Sequence, residues 1–92
     1  MIDCRETMQI VNKRGLHARA SAKFVNTVAE LPAGVSVTVT KDGTSAEGGS
    51  ILGLMMLGAA KGDTIEIGCS GAGADEALAV LSGLVRDGFG EE

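Results

Sequence analysis

The single histidine of the chain, His17, stands in the run Gly15-Leu16-His17-Ala18-Arg19-Ala20-Ser21-Ala22-Lys23-Phe24-Val25. An imidazole near neutral pH can act as nucleophile or proton carrier, and this one falls where a strand is expected to end and a helix to begin. The first turn of a helix has backbone N–H groups without intrahelical partners, and the aligned peptide dipoles there favour negative charge. Such a position can hold phosphate and leaves a ring nitrogen beside it free to attack. Arg19, two residues on, adds a guanidinium that can donate to the same oxyanion.

Charge is distributed to match. Lys13, Arg14, Arg19 and Lys23 are half of the 8 Lys and Arg in the chain, and no Asp or Glu falls between Glu6 and Glu30. A chain of formal net charge -4 thus keeps one positive face. Against this, a lone histidine at a helix start is in general more often a cap or a surface group than a reactive one.

The elements that must position these residues follow from periodicity. Ala18 to Glu30 is rich in helix formers, with Phe24, Val25, Val28 and Ala29 spaced along one side, and Pro32 disfavours helical geometry at Leu31. Thr7 to Val11 reads as the first strand, with Met8 and Ile10 on one face. Val35 to Thr40 alternates with its valines inward, and Asp42-Gly43 turns the chain back through Thr44 to Glu47, so these two strands pair antiparallel. Ser50 is placed to cap a short helix, Ile51 to Leu57, which Gly53 weakens and Gly58 ends in left-handed geometry. Thr64 to Ser70 carries Ile65, Ile67 and Cys69 inward as the last strand. The last helix, Ala74 to Asp87, has the stripe Ala77, Leu78, Leu81, Leu84 and Val85. The order βαββαβα, with strands that need one buried face, predicts an α+β fold in which helices cover one side of a four-stranded sheet.

In the short helix Leu54 and Leu57 can face the core, which leaves Ile51, Leu52 and Met55 where a polar face would be expected. Exposed apolar groups of this kind mark a docking surface, and methionine suits one that accepts several partners. Acidic Glu91-Glu92 reads as a frayed tail.

Composition excludes several functions. Ninety-two residues make one domain, 1–92, with room for a single core. No segment has the apolar length to span a bilayer and the residues from Met1 to Glu6 lack a secretory pattern, so a cytoplasmic protein without a membrane partner is expected. Cys4 and Cys69 lie far apart with no CxxC pair or second histidine, so they read as small core hydrophobes and no metal or cofactor is expected. The absence of Trp and Tyr, with the negative net charge, argues against nucleic acid as a partner.

The run GLHARASAKFV resembles the active-site signature of HPr, the histidine-containing phosphocarrier family of the phosphoenolpyruvate-dependent phosphotransferase system. That signature usually carries proline where this chain has Ala20. Proline would pre-set the backbone angle of the first turn, and alanine removes no chemical group. Gly49-Ser50-Ile51-Leu52-Gly53-Leu54-Met55-Met56-Leu57-Gly58 resembles the regulatory-serine helix of the same family, at the family's separation, and the resemblance covers nearly the whole chain. The Arg19-Ala20 pair resembles the nitrogen-related and alphaproteobacterial members.

The resemblance implies an HPr-like open-faced β-sandwich, a four-stranded antiparallel sheet with three helices on one face. It implies that phosphorylated Enzyme I transfers a phosphoryl group to Nδ1 of His17, where the Ala18 and Arg19 amides and the Arg19 side chain hold it, and that His17 passes it to an Enzyme IIA domain. It further implies Ser50 as the target of an HPr serine kinase/phosphorylase, with Ile51, Leu52, Met55 and Lys23 meeting partners. Such a chain is a monomeric carrier, a co-substrate rather than an enzyme. The reading from another class is a regulatory or ligand-sensing βαβ module in which His17 is only a cap.

Overall fold

The computed structural model describes residues 2–91. Its elements are β1 (Cys4–Gln9), α1 (Ala18–Ala29), β2 (Ser36–Lys41), β3 (Thr44–Glu47), α2 (Ile51–Met56), β4 (Thr64–Ser70), α3 (Ala74–Arg86) and a closing 3₁₀ turn, Gly88–Gly90. The four strands form one antiparallel sheet in the order β1-β4-β2-β3, with the three helices over one face. The Asp42-Gly43 turn has both residues at positive φ, 50° and 81°, the geometry whose twist suits a two-residue hairpin.

Register explains the core. Met8 faces Ile65, Val39 faces Ile67 and Val37 faces Cys69, so the inward residues of three strands meet in cross-strand pairs. Over them α3 lays Leu78, Leu81 and Val85, and α1 contributes Ala20 and Phe24, all buried. Leu84 of the expected stripe is only half-buried, and Ser82 takes a fully buried place beside it. The Ser82 hydroxyl is satisfied there by donating to Glu6 Oε1 at 3.0 Å, while Arg86 pairs with the same carboxylate.

The first strand lies earlier than its apolar residues indicated, at Cys4–Gln9 rather than Thr7 to Val11. Its extent is set by its partner: Cys4 pairs with Cys69 and Gln9 with Thr64, the two ends of the β4 ladder. Ile10 is buried beyond the strand, and Val11 turns out to solvent. Both cysteines are free, and burial pushes the Cys69 thiol up to about 11, so it stays protonated and packs as a small hydrophobe. Among the described residues no group of three or more His, Cys, Asp or Glu is arranged to hold a metal ion, and no helix is long and apolar enough to cross a membrane.

α2 has the expected cap, Ser50 Oγ accepting from the Gly53 amide at 2.9 Å. Gly53 has a positive reason to be there. A Cβ at that position would lie 3.0 Å from Ser50 Oγ and 3.4 Å from the Ala46 side chain, so glycine lets the cap close against β3.

Candidate functional site

His17 does not follow a strand directly. Residues 10–17 form a loop between β1 and α1, and the fold pins it. At Gly15, φ is +61° and a Cβ would come 2.2 Å from the Ala59 carbonyl oxygen, so only glycine allows this approach. The next amide, Leu16, donates to that same carbonyl at 2.9 Å, and the Leu16 side chain is buried. Ser21, buried in the first turn of α1, returns a hydroxyl to the Leu16 carbonyl at 3.2 Å. Together these contacts fix the loop end from which His17 projects.

His17 is the N-cap of α1, extended at φ -75° and ψ -178°, and its Nδ1 accepts from the Arg19 amide at 3.2 Å. A ring nitrogen that faces an N–H donor holds its lone pair and not a proton. The cap reading is therefore geometrically correct, and the atom that caps is the atom that can attack. Ala18, at the first helical position, is exposed, and its amide lies among those without an intrahelical acceptor. The Arg19 amide, expected to be open to an oxyanion, is in this state occupied by Nδ1.

The other ring nitrogen meets a residue of the tail for which the sequence predicts fraying. Nε2 lies 2.8 Å from Glu91 Oε2, and Glu91 Oε1 accepts from Asn12 Nδ2 at 3.0 Å. Asn12 is buried and also donates to the Gly15 carbonyl at 2.9 Å. The hydrogen bond from Asn12 holds the Glu91 carboxyl below the usual carboxylate range; desolvation opposes it, and the bond to His17 and the nearby charge of Arg19 act with it. The tail is ordered because the 3₁₀ turn buries Phe89 and Lys23 Nζ donates to the Phe89 carbonyl at 2.7 Å. An aromatic residue between glycines was the one signal in the sequence against fraying. Glu92 lies outside the described residues.

An open cleft of about 540 Å³ is lined by Lys13, Arg14, Arg19 and Lys23 together with residues 89–91, with His17 in its wall. The four cations gather as their spacing indicated, with two changes. Glu91 enters what looked like an unbroken positive face, and the Lys23 ammonium donates to the chain's own backbone at Phe89. The long-range reach of Glu91 was invisible to a reading of neighbours along the chain. Away from the cleft, α2 packs beside α1 and shows Ile51, Leu52 and Met55 to solvent, as expected. Met56, not singled out from the sequence, is the most exposed of this group at 76%.

Comparison with known proteins is consistent across sequence and fold. A family profile described as "PTS HPr component phosphorylation site" matches residues 4–87. Phosphocarrier protein HPr of Neisseria meningitidis serogroup B is 46% identical over 87 residues, covering 95% of this chain and 96% of the relative. Phosphocarrier protein NPr of Escherichia coli K12 is 38% identical over 88 residues, covering 96% and 97%. The crystal structure of HPr from Thermoanaerobacter tengcongensis superposes with a TM-score of 0.89 at 36% identity, covering 97% of this chain and 98% of that one.

Proposed function

This chain belongs to the HPr family of phosphotransferase-system phosphocarriers, carriers rather than enzymes, and on that premise we propose that His17 accepts a phosphoryl group from phosphorylated Enzyme I and hands it to an Enzyme IIA domain in the cytoplasm. The observation that carries this reading is the Nδ1 lone pair of His17, turned toward the first amides of α1 in a cleft rimmed by four cations. Nδ1 attacks phosphorus, and the Arg19 N–H that had capped the lone pair passes to a phosphoryl oxygen. Ala18 N–H and the Arg19 guanidinium take the others. Little has to move, which suits a reaction that asks for positioning and charge stabilisation rather than covalent machinery.

The test is incubation with Enzyme I and labelled phosphoenolpyruvate. A carrier takes up label that is labile in acid and stable in alkali; a module in which His17 is only a cap takes up none. Arg19→Ala remains phosphorylatable but slower, by about tenfold, because the backbone donors persist while one charge-assisted donor is lost. Arg19→Lys does not fully restore the rate, since an ammonium lacks the planar fork. Uptake by Arg19→Ala at the wild-type rate would reduce the arginine to a surface charge.

Ser50 is the proposed regulatory position. Its hydroxyl starts α2 beside the exposed Ile51, Leu52, Met55 and Met56, which we assign to partner docking, the face a partner must dry. A phosphate there, set by a serine kinase, adds about -1.5 to -2 charges at a helix start, which the fold tolerates and an apolar contact does not. Ser50→Asp therefore melts near wild type yet takes phosphoryl from Enzyme I several-fold more slowly. A folded Ser50→Asp that transfers at the wild-type rate removes this account of the serine.

A further inference from the structure

Resting on the phosphocarrier reading above, we propose that Glu91 is a positioning residue for phosphoryl transfer, holding the His17 ring with its proton on Nε2 so that the lone pair stands on Nδ1. The contacts form one directed chain. Asn12 Nδ2 has two hydrogens and two acceptors, the Gly15 carbonyl at 2.9 Å and Glu91 Oε1 at 3.0 Å. That fixes the orientation of its amide, for the opposite orientation would set Oδ1 against two oxygens. The carboxylate so held is acceptor-only, and its second oxygen lies 2.8 Å from Nε2, which must therefore carry the hydrogen. At the far side of the ring Nδ1 faces the Arg19 N–H. The two halves of the ring agree, and only the Nε2–H tautomer satisfies both.

Asn12 Oδ1 is buried without a hydrogen-bond partner among the described residues, and such an acceptor is costly to leave unmet. Asn12 is kept for its nitrogen, which serves the loop and the carboxylate at once. His17 and Glu91 are shielded together, with side chains 21% and 19% exposed, so their bond is only partly screened.

The same bond acts during transfer. The Nδ1 lone pair forms the bond to phosphorus while the bond from phosphorus to the donor's leaving group breaks, its electron pair remaining with that group. The ring keeps its Nε2 proton and becomes positive, and Glu91 lies against the nitrogen where that charge is shared. On donation the P–Nδ1 electron pair returns to Nδ1 and the ring leaves neutral, already in the tautomer needed for the next cycle. Lys13, Arg14, Arg19 and Lys23 line the same cleft, and Glu91 is the carboxylate bonded to the ring.

Because His17 is the only histidine, the ring ¹⁵N shifts of the labelled full chain, recorded in alkaline buffer, report this tautomer directly. Wild type shows a pyrrole-type Nε2 and an unprotonated Nδ1. In Glu91→Ala the two shifts move toward each other, and uptake of phosphoryl from Enzyme I falls by about tenfold, the order expected for losing a charge-assisted contact. Glu91→Gln, nearly isosteric, brings an NH₂ against either Asn12 or Nε2–H and shows both effects in smaller degree. Unchanged ring shifts in Glu91→Ala overturn the proposal whatever the rate does, and shifted rings with wild-type uptake overturn it equally. The ring measurement needs no donor. A wild-type chain that accepts no phosphoryl group therefore sinks the carrier reading, while the shifts still decide how the ring is held.

Discussion

His17→Ala takes up no phosphoryl group from Enzyme I, a loss of all transfer, and it also melts lower than wild type. The second effect follows from the structure. His17 caps α1 through Nδ1, and replacing a side-chain cap by alanine costs about 0.5–2 kcal/mol, which in a domain of this size moves Tm by roughly 2–16 °C. His17→Asn separates the two roles. Its short side chain offers an oxygen to the Arg19 amide and restores most of the cap, yet it has no nitrogen able to form the phosphoramidate. Both variants are expected to remain unlabelled, with only the alanine variant clearly destabilised. Label on either one assigns the phosphoryl group to a residue other than His17.

Phe89→Ala has the largest expected effect on stability, about 3–5 kcal/mol in urea unfolding, because a fully buried aromatic is replaced by a cavity. A small domain has only about 5–15 kcal/mol in total, so about a fifth of its margin or more is at stake. Phe89 sits at φ 59° between two glycines that also have positive φ, a left-handed path that costs energy and persists because the ring is anchored. Removing the ring frees the carbonyl that Lys23 holds and the carboxylate that Glu91 brings to His17. The variant thus loses stability and the orderly His17 ring together, whereas Phe24→Ala, equally buried in α1, loses stability without releasing the tail. A Phe89→Ala chain as stable as wild type would show that the 3₁₀ turn contributes nothing to the core.

Much of this protein is written in contacts between residues a few positions apart. The 3.6-residue stripe of α3, the alternation of β2, the Asp42-Gly43 hairpin, the Ser50 cap and the placing of His17 at the start of α1 each depend on a local pattern, and each stands in the structure as its pattern indicates, apart from the half-buried Leu84 of the α3 stripe. The gathering of Lys13, Arg14, Arg19 and Lys23 is local as well, since all four lie within one loop and the helix that follows it.

What only the tertiary structure decided has longer range. The start of β1 at polar Cys4-Arg5-Glu6 is dictated by where β4 offers ladder partners, which no propensity of those three residues announces. The need for glycine at 15 comes from the Ala59 carbonyl, far along the chain. Asn12, His17 and Glu91 meet because α3 runs back across the sheet and Phe89 drops into the core one turn beyond it, a junction between residues 74 positions apart. A carboxylate at a chain end has no periodicity to reveal its partner. Its role is set by where burial of a neighbouring side chain brings the backbone, and that is a property of the packed molecule alone.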